Sequence, residues 1–533
     1  MKRKALTKLL TAALTAGLVL SACGKAPEGQ TNAPSESTDS AKAETEAEEP
    51  VELTVFIDHD WFWMDSFGGR PVDDEITRLT GVKLNVIKAA DAQQLPIMIA
   101  GGELPDIVYT SNFSDLNNAD QCYEMGELLA TYTPNFKPPM EQIGSAMDEE
   151  GNYYYLINFW QREKDWEDPH FLPGVGNSGF IYRQDILEEL ENPPFETMED
   201  LMNVLEMVKE KYPDMVPIAL GPEGRKYNIF INQSVVQPDV TDVVQQNDGS
   251  FKYVASTEAY KEGMQLLFDM AQKGYLNPNM FTLKYDQYIA EAQQGNVFMW
   301  MDDAANAALY NSALEASGVE GASTLMKKGS FFAEPEPAVD TAAGWCGTFV
   351  TKNCKNPEAA AKFLEWAGTE EAGKLVGWGM EGVHYTEDEN GYPVLTPEIA
   401  ESWNKDYDAT VRETGIGAWF FGTGAWYESV RTYDPDSNKE LTEWLLAFKD
   451  TMVIRPECAA LKPEPGTDTA ATFVKLQELV IGYYPRIIFA KDQTEFEKLY
   501  EELQSQIELQ GGKEYDGWAN QKWESIKEKY DLQ

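Results

Sequence analysis

Asp58, Asp60, Trp61 and Trp63 fall within six residues, directly behind the apolar run Leu53-Thr54-Val55-Phe56-Ile57. Indole rings beside carboxylates are the two kinds of group that a sugar needs. A pyranose has apolar C–H faces that lie against flat aromatic plates, and a rim of hydroxyls that planar polar groups satisfy several at a time. A hydroxyl buried without a partner costs about 1–3 kcal/mol, so the polar groups decide which ligand fits. The same residue types recur behind other apolar runs: Asn112 after Asp106-Ile107-Val108-Tyr109, Asp302 and Asp303 with Trp300 at the end of Val297-Phe298-Met299-Trp300-Met301, and Trp345 ahead of Gly347 to Thr351. Trp378 with Glu381 and His384, and Trp419 and Trp426 among Gly417, Gly422 and Gly424, complete the candidate ligand-binding set. Trp300 alternates with methionines, which equally fits a core position, and Asp302-Asp303 equally fits a helix cap.

Other chemistries find less material. The chain has three histidines, no His-Glu-x-x-His zinc motif and no Gly-x-Ser-x-Gly nucleophile elbow. Gly174-Val175-Gly176-Asn177-Ser178-Gly179 fits a dinucleotide fingerprint in spelling but follows no clear strand. Gly368 to Leu375 nearly spells a phosphate loop, yet Leu375 replaces the magnesium-binding hydroxyl and Glu370-Glu371 would repel phosphate. With 89 Asp+Glu against 43 Lys+Arg, the formal net charge of −46 repels nucleic acid. A glycoside hydrolase needs only two carboxylates held across a cleft, so that enzyme alternative stays open. So does a peptide or amino-acid receptor, for which Arg70, Arg162, Arg183 and Arg225 could hold a carboxylate.

The elements that must carry these residues are legible as an alternation. Leu53 to Ile57, Val82 to Ile87 and Asp106 to Tyr109 read as strands, with helices over Pro71 to Leu79 and Gln93 to Ala100 between them. Strand and helix in turn predict a parallel α/β sheet, in which ligands bind at the carboxyl ends of strands. Loops 58–68 and 110–115 lie there. A second α/β region follows, with strands at Phe180 to Tyr182 and Val297 to Met301. Its helices read from Thr197 to Lys211, Glu258 to Gln272 and Tyr285 to Gln293. Asn356-Pro357 reads as a capped helix start, and two charged helices, Glu495 to Glu508 and Trp518 to Lys529, close the chain. At 533 residues the chain is long enough for two or more substructures.

The N-terminus carries its own chemistry. Lys2, Arg3, Lys4 and Lys8 precede a short apolar run from Leu9 to Leu20, the anatomy of a secretory signal over residues 1–22. Leu20-Ser21-Ala22-Cys23-Gly24 resembles the bacterial lipobox, in which the cysteine sulfur takes a diacylglyceryl group. Residues 24–50 hold no aromatic or large aliphatic side chain, the composition of a flexible tether. Cys122, Cys346, Cys354 and Cys458 remain; a Cys346–Cys354 disulfide and free buried thiols both fit.

Taken in order, several stretches resemble a family, the bacterial extracellular solute-binding lipoproteins of family 1, the sugar-type substrate-binding proteins of ABC importers. They are Ile97 to Ile107 with Gly101-Gly102-Glu103-Leu104-Pro105-Asp106, Phe180 to Leu187 with the helix that follows it, Gly295 to Trp300, and Thr351 to Tyr385. The resemblance implies a two-lobed α/β fold of the periplasmic-binding-protein type II, with the ligand cleft between the lobes. It implies residues 51–155 as the first part of lobe one, 156–329 as the first part of lobe two, 330–378 as a return to lobe one and 379–533 as the rest of lobe two. It also implies a monomer that binds a carbohydrate by hinge closure, delivers it unchanged to a permease, and stays on the extracytoplasmic face of the membrane through Cys23. Trp160 and Trp166 would lie near the first crossing. No cofactor is required. A structural calcium, known in the wider class, is left open, although Asp434 to Glu440 has Lys439 and Leu445 where a calcium loop needs Gly and Glu.

Overall fold

A computed structural model describes residues 49–529, apart from 149, 168–177, 221–241, 328–329, 333–337, 342–343, 390, 418–419, 425–451 and 465. The signal segment, Cys23, the tether, Trp419, Trp426 and the 434–440 turn lie outside the described residues.

The first sheet is organised by the strand Val51–Ile57, whose Leu53, Val55, Phe56 and Ile57 are all buried, as expected of a strand covered on both faces. Val82–Lys88 and Ile107–Thr110 flank it in parallel, joined through the helices Pro71–Thr80 and Gln94–Gly101. Gly81 closes the first of these helices at φ 67°, a left-handed angle that a side chain would resist. Gly347–Val350 then inserts antiparallel beside Ile107–Thr110, and Tyr155–Ile157 forms the far edge.

The second sheet runs in the order Thr324–Met326, Ser178–Arg183, Val297–Asp303, Val216–Ala219. The helix Met198–Lys211 opens on a capping box: the Thr197 side chain accepts from the Asp200 amide while the Asp200 carboxylate reaches back to the Thr197 amide. Glu258–Gln272 and Tyr285–Gln293 fall on their expected bounds. The helices Asp468–Ile488, Gln493–Leu509 and Gly512–Lys529 bring Val480, Phe496, Leu503 and Trp523 into the same core.

Among the described residues the buried side chains form two large cores, each built from separated stretches of chain, and a smaller cluster around Tyr288, Trp300 and Tyr310. The first gathers buried side chains from Leu53 to Trp160 and again from Cys346 to Phe421. The second gathers Phe180 to Phe331, Val339, and Cys458 to Ile526. The return to the first lobe is therefore displaced from the expected 330–378. Phe331 and Val339 pack in the second core, whereas Tyr385, Leu395, Trp403, Val411 and Phe420 pack in the first. The helices Pro397–Lys405 and Tyr407–Thr414 are amphipathic, and their spacing announces an apolar face without saying which lobe will cover it. Cys122, Cys346, Cys354 and Cys458 are free, buried thiols.

Candidate functional site

At the carboxyl ends of Val51–Ile57 and Ile107–Thr110, side chains from four segments converge. The Asp58 amide donates to the Tyr109 carbonyl at 3.0 Å, which extends the strand pairing into the loop. The Asp58 carboxylate accepts from the Thr110 hydroxyl at 2.8 Å through one oxygen, while its other oxygen is buried without a hydrogen-bond partner. Burial raises the Asp58 pKa, and the Thr110 bond works against that rise. The His59 Nε2 lies 3.0 Å from the Cys346 Sγ. Burial lowers the pKa of this imidazole, with the Asp60 charge opposing, and burial raises that of the Cys346 thiol. A neutral ring is thus hydrogen-bonded to a neutral thiol.

That bond holds the imidazole against two indoles that also touch each other. The His59 ring centroid is 5.2 Å from Trp61 and 5.0 Å from Trp345, and the two indoles are 5.4 Å apart at an interplanar angle of 33°. Trp61 is 56% exposed, and Trp345 is half-buried behind it. Beneath the rings, the Asn158 side chain accepts from the Cys346 amide at 2.9 Å and donates to the Tyr109 hydroxyl at 2.7 Å. Asp60 is exposed beside Trp61. Asn112 is also exposed; its amide donates to the Thr110 hydroxyl and its side chain accepts from Ser114 at 3.1 Å. The structure therefore brings together Asp58, Asp60, Trp61, Asn112 and Trp345 from the predicted set. It adds Thr110, Asn158 and Cys346, with His59 between the two aspartates. Asn158 follows the Tyr155–Ile157 strand, so the strand-end rule that pointed to Asp58 applied to it as well.

Three other predicted plates, Trp63, Trp300 and Trp378, are core. Trp63 is 8% exposed and packs so closely on Gly417 that a Cβ there would meet the indole at 1.9 Å. Arg70 stands 5.4 Å from the same ring. Trp300 is fully buried against Tyr310, because the strand that carries it is covered on both faces. Trp378 is buried edge-on to Tyr385. The buried His384 accepts the Met380 amide through Nδ1 at 2.9 Å, and burial lowers its pKa. Glu381 sits at the surface in the turn that precedes Tyr385. Asp302 is fully buried and accepts two tyrosine hydroxyls, from Tyr285 at 2.6 Å and from Tyr310 at 2.5 Å. Asp303 pairs through its backbone with Ser178, and its side chain lies outside the described residues, as does that of Trp166. Among the described residues no group of three or more His, Cys, Asp and Glu could hold a metal ion.

Two α/β lobes, each completed by a later stretch of chain, define a two-lobed solute-binding protein of the type II periplasmic-binding fold. More particularly, the chain belongs to the bacterial extracellular solute-binding protein family, whose model matches residues 71–374. The family is one of binding proteins, not enzymes. The chain is similar to the fructooligosaccharide ABC transporter substrate-binding protein FusA of Streptococcus pneumoniae serotype 4, at 22% identity over 228 residues, covering 39% of this chain and 42% of that one. It is similar to the polygalacturonan/rhamnogalacturonan-binding protein YtcQ of Bacillus subtilis, at 22% identity over 350 residues, covering 62% and 67%. The alginate-binding protein AlgQ2, solved without calcium ion, shares the fold at a TM-score of 0.62 and 19% identity, over 90% of this chain and 98% of that one. An EF-hand mutant of FusA in complex with fructo-nystose does so at 0.63 and 16%, over 90% and 100%.

Proposed function

We propose that this chain is the carbohydrate-capturing component of an ABC importer, held outside the cell membrane by a lipid on Cys23. The observation that carries the reading is the pair of indoles, Trp61 and Trp345, splinted by His59 beside the carboxylates of Asp58 and Asp60. The plates meet the C–H faces of a sugar, and the aspartates accept from its rim hydroxyls. Relatives named for binding a fructooligosaccharide, polygalacturonan and rhamnogalacturonan support a carbohydrate of several linked rings. The ligand draws the two lobes together, and the closed form is what a permease recognises. Among the described residues no helix is long and apolar enough to cross a membrane, and the lipobox-like Leu20 to Gly24 supplies the anchor. The test is a thermal-shift screen of purified protein against neutral and acidic oligosaccharides, with amino acids and short peptides as controls. A rise in melting temperature with an oligosaccharide that is recovered uncut is the expected result. A rise with peptides alone would overturn the reading.

A further inference from the structure

The second lobe holds an arrangement that indole-counting missed. Tyr285 opens the helix Tyr285–Gln293 and is 43% exposed. Its hydroxyl donates to Asp302 at 2.6 Å, and the same carboxylate, fully buried, takes the hydroxyl of buried Tyr310 at 2.5 Å. Next along the helix face, the Tyr288 hydroxyl donates to the Met301 carbonyl at 2.8 Å and accepts from the Met301 amide at 2.9 Å, which clamps the helix to its strand. A solvent-facing tyrosine normally turns through its rotamers. Here a hydrogen bond to an immobile, buried acceptor fixes the ring, so little side-chain entropy is lost when something lies against it.

The place of this ring in the chain path gives it meaning. Asp302 stands at the carboxyl end of Val297–Asp303, the end that pairs with Ser178, where the chain joins the second sheet after leaving the first. The cluster around Trp61 stands at the corresponding end of the first sheet, where Ile157 pairs with Gly347 and the chain leaves for and returns from the second lobe. Both clusters thus occupy the sheet ends joined by the crossing segments.

Resting on the carbohydrate reading above, we propose that Tyr285 is the second lobe's stacking plate for the bound oligosaccharide and that Asp302 is its positioning residue. The indoles of the first lobe hold one sugar ring, and the fixed phenol takes a neighbouring ring as the lobes close. Its hydroxyl is committed to Asp302, so recognition at this plate is through a C–H face and is tolerant of hydroxyl configuration.

The experiment is titration calorimetry of the wild-type protein with kestose, a tri-galacturonide and a mannuronate trisaccharide, repeated on Tyr285→Ala, Tyr285→Phe, Asp302→Asn and the Tyr285→Ala/Asp302→Asn double variant. For whichever trisaccharide the wild type binds, Tyr285→Ala is expected to weaken affinity about tenfold or more and Tyr285→Phe, which keeps the plate but frees it, by less, while both lower the ligand-free melting temperature alike because both remove the bond to buried Asp302. Asp302→Asn is expected to weaken binding in the presence of Tyr285 and to have no further effect on the Tyr285→Ala background; an equal loss on both backgrounds would mark a purely structural role and overturn the positioning claim. Wild-type binding with Tyr285→Ala within twofold would overturn the plate while leaving the carbohydrate reading intact. Failure of the wild type to bind any of the three, alongside a thermal shift with peptides, would bring down that reading and the plate with it.

Discussion

At the scale of single residues, the distinction that matters is between aromatic side chains that end up exposed and those that end up as core. Trp61 and Trp63 are two positions apart on either side of Phe62, yet one is 56% exposed and the other 8%. Trp61→Ala should therefore abolish most ligand affinity and leave unfolding unchanged, whereas Trp63→Ala should cost about 3–5 kcal/mol of stability by opening a cavity over Gly417. Denaturant unfolding of both variants beside calorimetry separates them; equal destabilisation would refute the assignment. Sequence could not separate them, because alternation across a loop has no fixed period and the deciding partner, Gly417, lies far along the chain. His384 offers a second residue-scale test. Burial lowers its pKa, so the folded state binds fewer protons than the unfolded state just below pH 6.5. Its stabilising contribution is complete above that pH and is lost as the pH falls toward the lowered folded value. In His384→Asn the amide oxygen can still accept the Met380 amide that Nδ1 accepts in the wild type, but it does not titrate. The melting temperature of the wild type relative to this variant should drop between pH 7.5 and pH 5; a rise would show that the imidazole is charged in the fold.

At the scale of elements, sequence was most reliable where a local rule is self-contained. The Thr197–Asp200 capping box needs four consecutive residues and nothing else, and it forms with both reciprocal bonds. Thr197→Ala should cost about 1 kcal/mol, read as a shift in urea midpoint without a change in slope. Had the cap been decorative, the midpoint would not move. Asn356 looked equally good before Pro357, yet its side chain makes no capping bond. The parallel strands Val51–Ile57, Val82–Lys88 and Ile107–Thr110 were legible because their helices sit between them in the chain. Insertion of Gly347–Val350 beside Ile107–Thr110 spans more than two hundred residues and leaves no local trace. The site inherits this asymmetry. Asp58, Asp60, Trp61 and Asn112 could be found by walking to strand ends. The His59–Cys346 bond and the Asn158 bracket depend on that long-range insertion and could not.

At the scale of the whole molecule, the proposed function requires that the two lobes respond to one ligand together, and the connections between them set how. Two stretches at the limits of the first core, Asn158–Trp160 and Gly422–Gly424, are tied to each other. The Phe159 amide donates to the Thr423 carbonyl at 2.7 Å, Trp160 pairs with Gly424, and the Trp160 indole and the Gln142 amide both donate to the Gly422 carbonyl at 3.0 Å. On the proposed function, this tie between the two stretches favours rotation of the lobes about a shared line over independent drift. Closure should then be two-state. Small-angle scattering of the wild type should show one drop in radius of gyration that saturates with ligand occupancy. Trp61→Ala should give the ligand-free value at the same sugar concentration and reach the closed value only at proportionally higher sugar, because the lost plate lowers affinity without altering the hinge. A compact, ligand-independent radius in the wild type would mean that the lobes do not open, and the paired indoles would then have to take their sugar at a surface instead of between closing lobes.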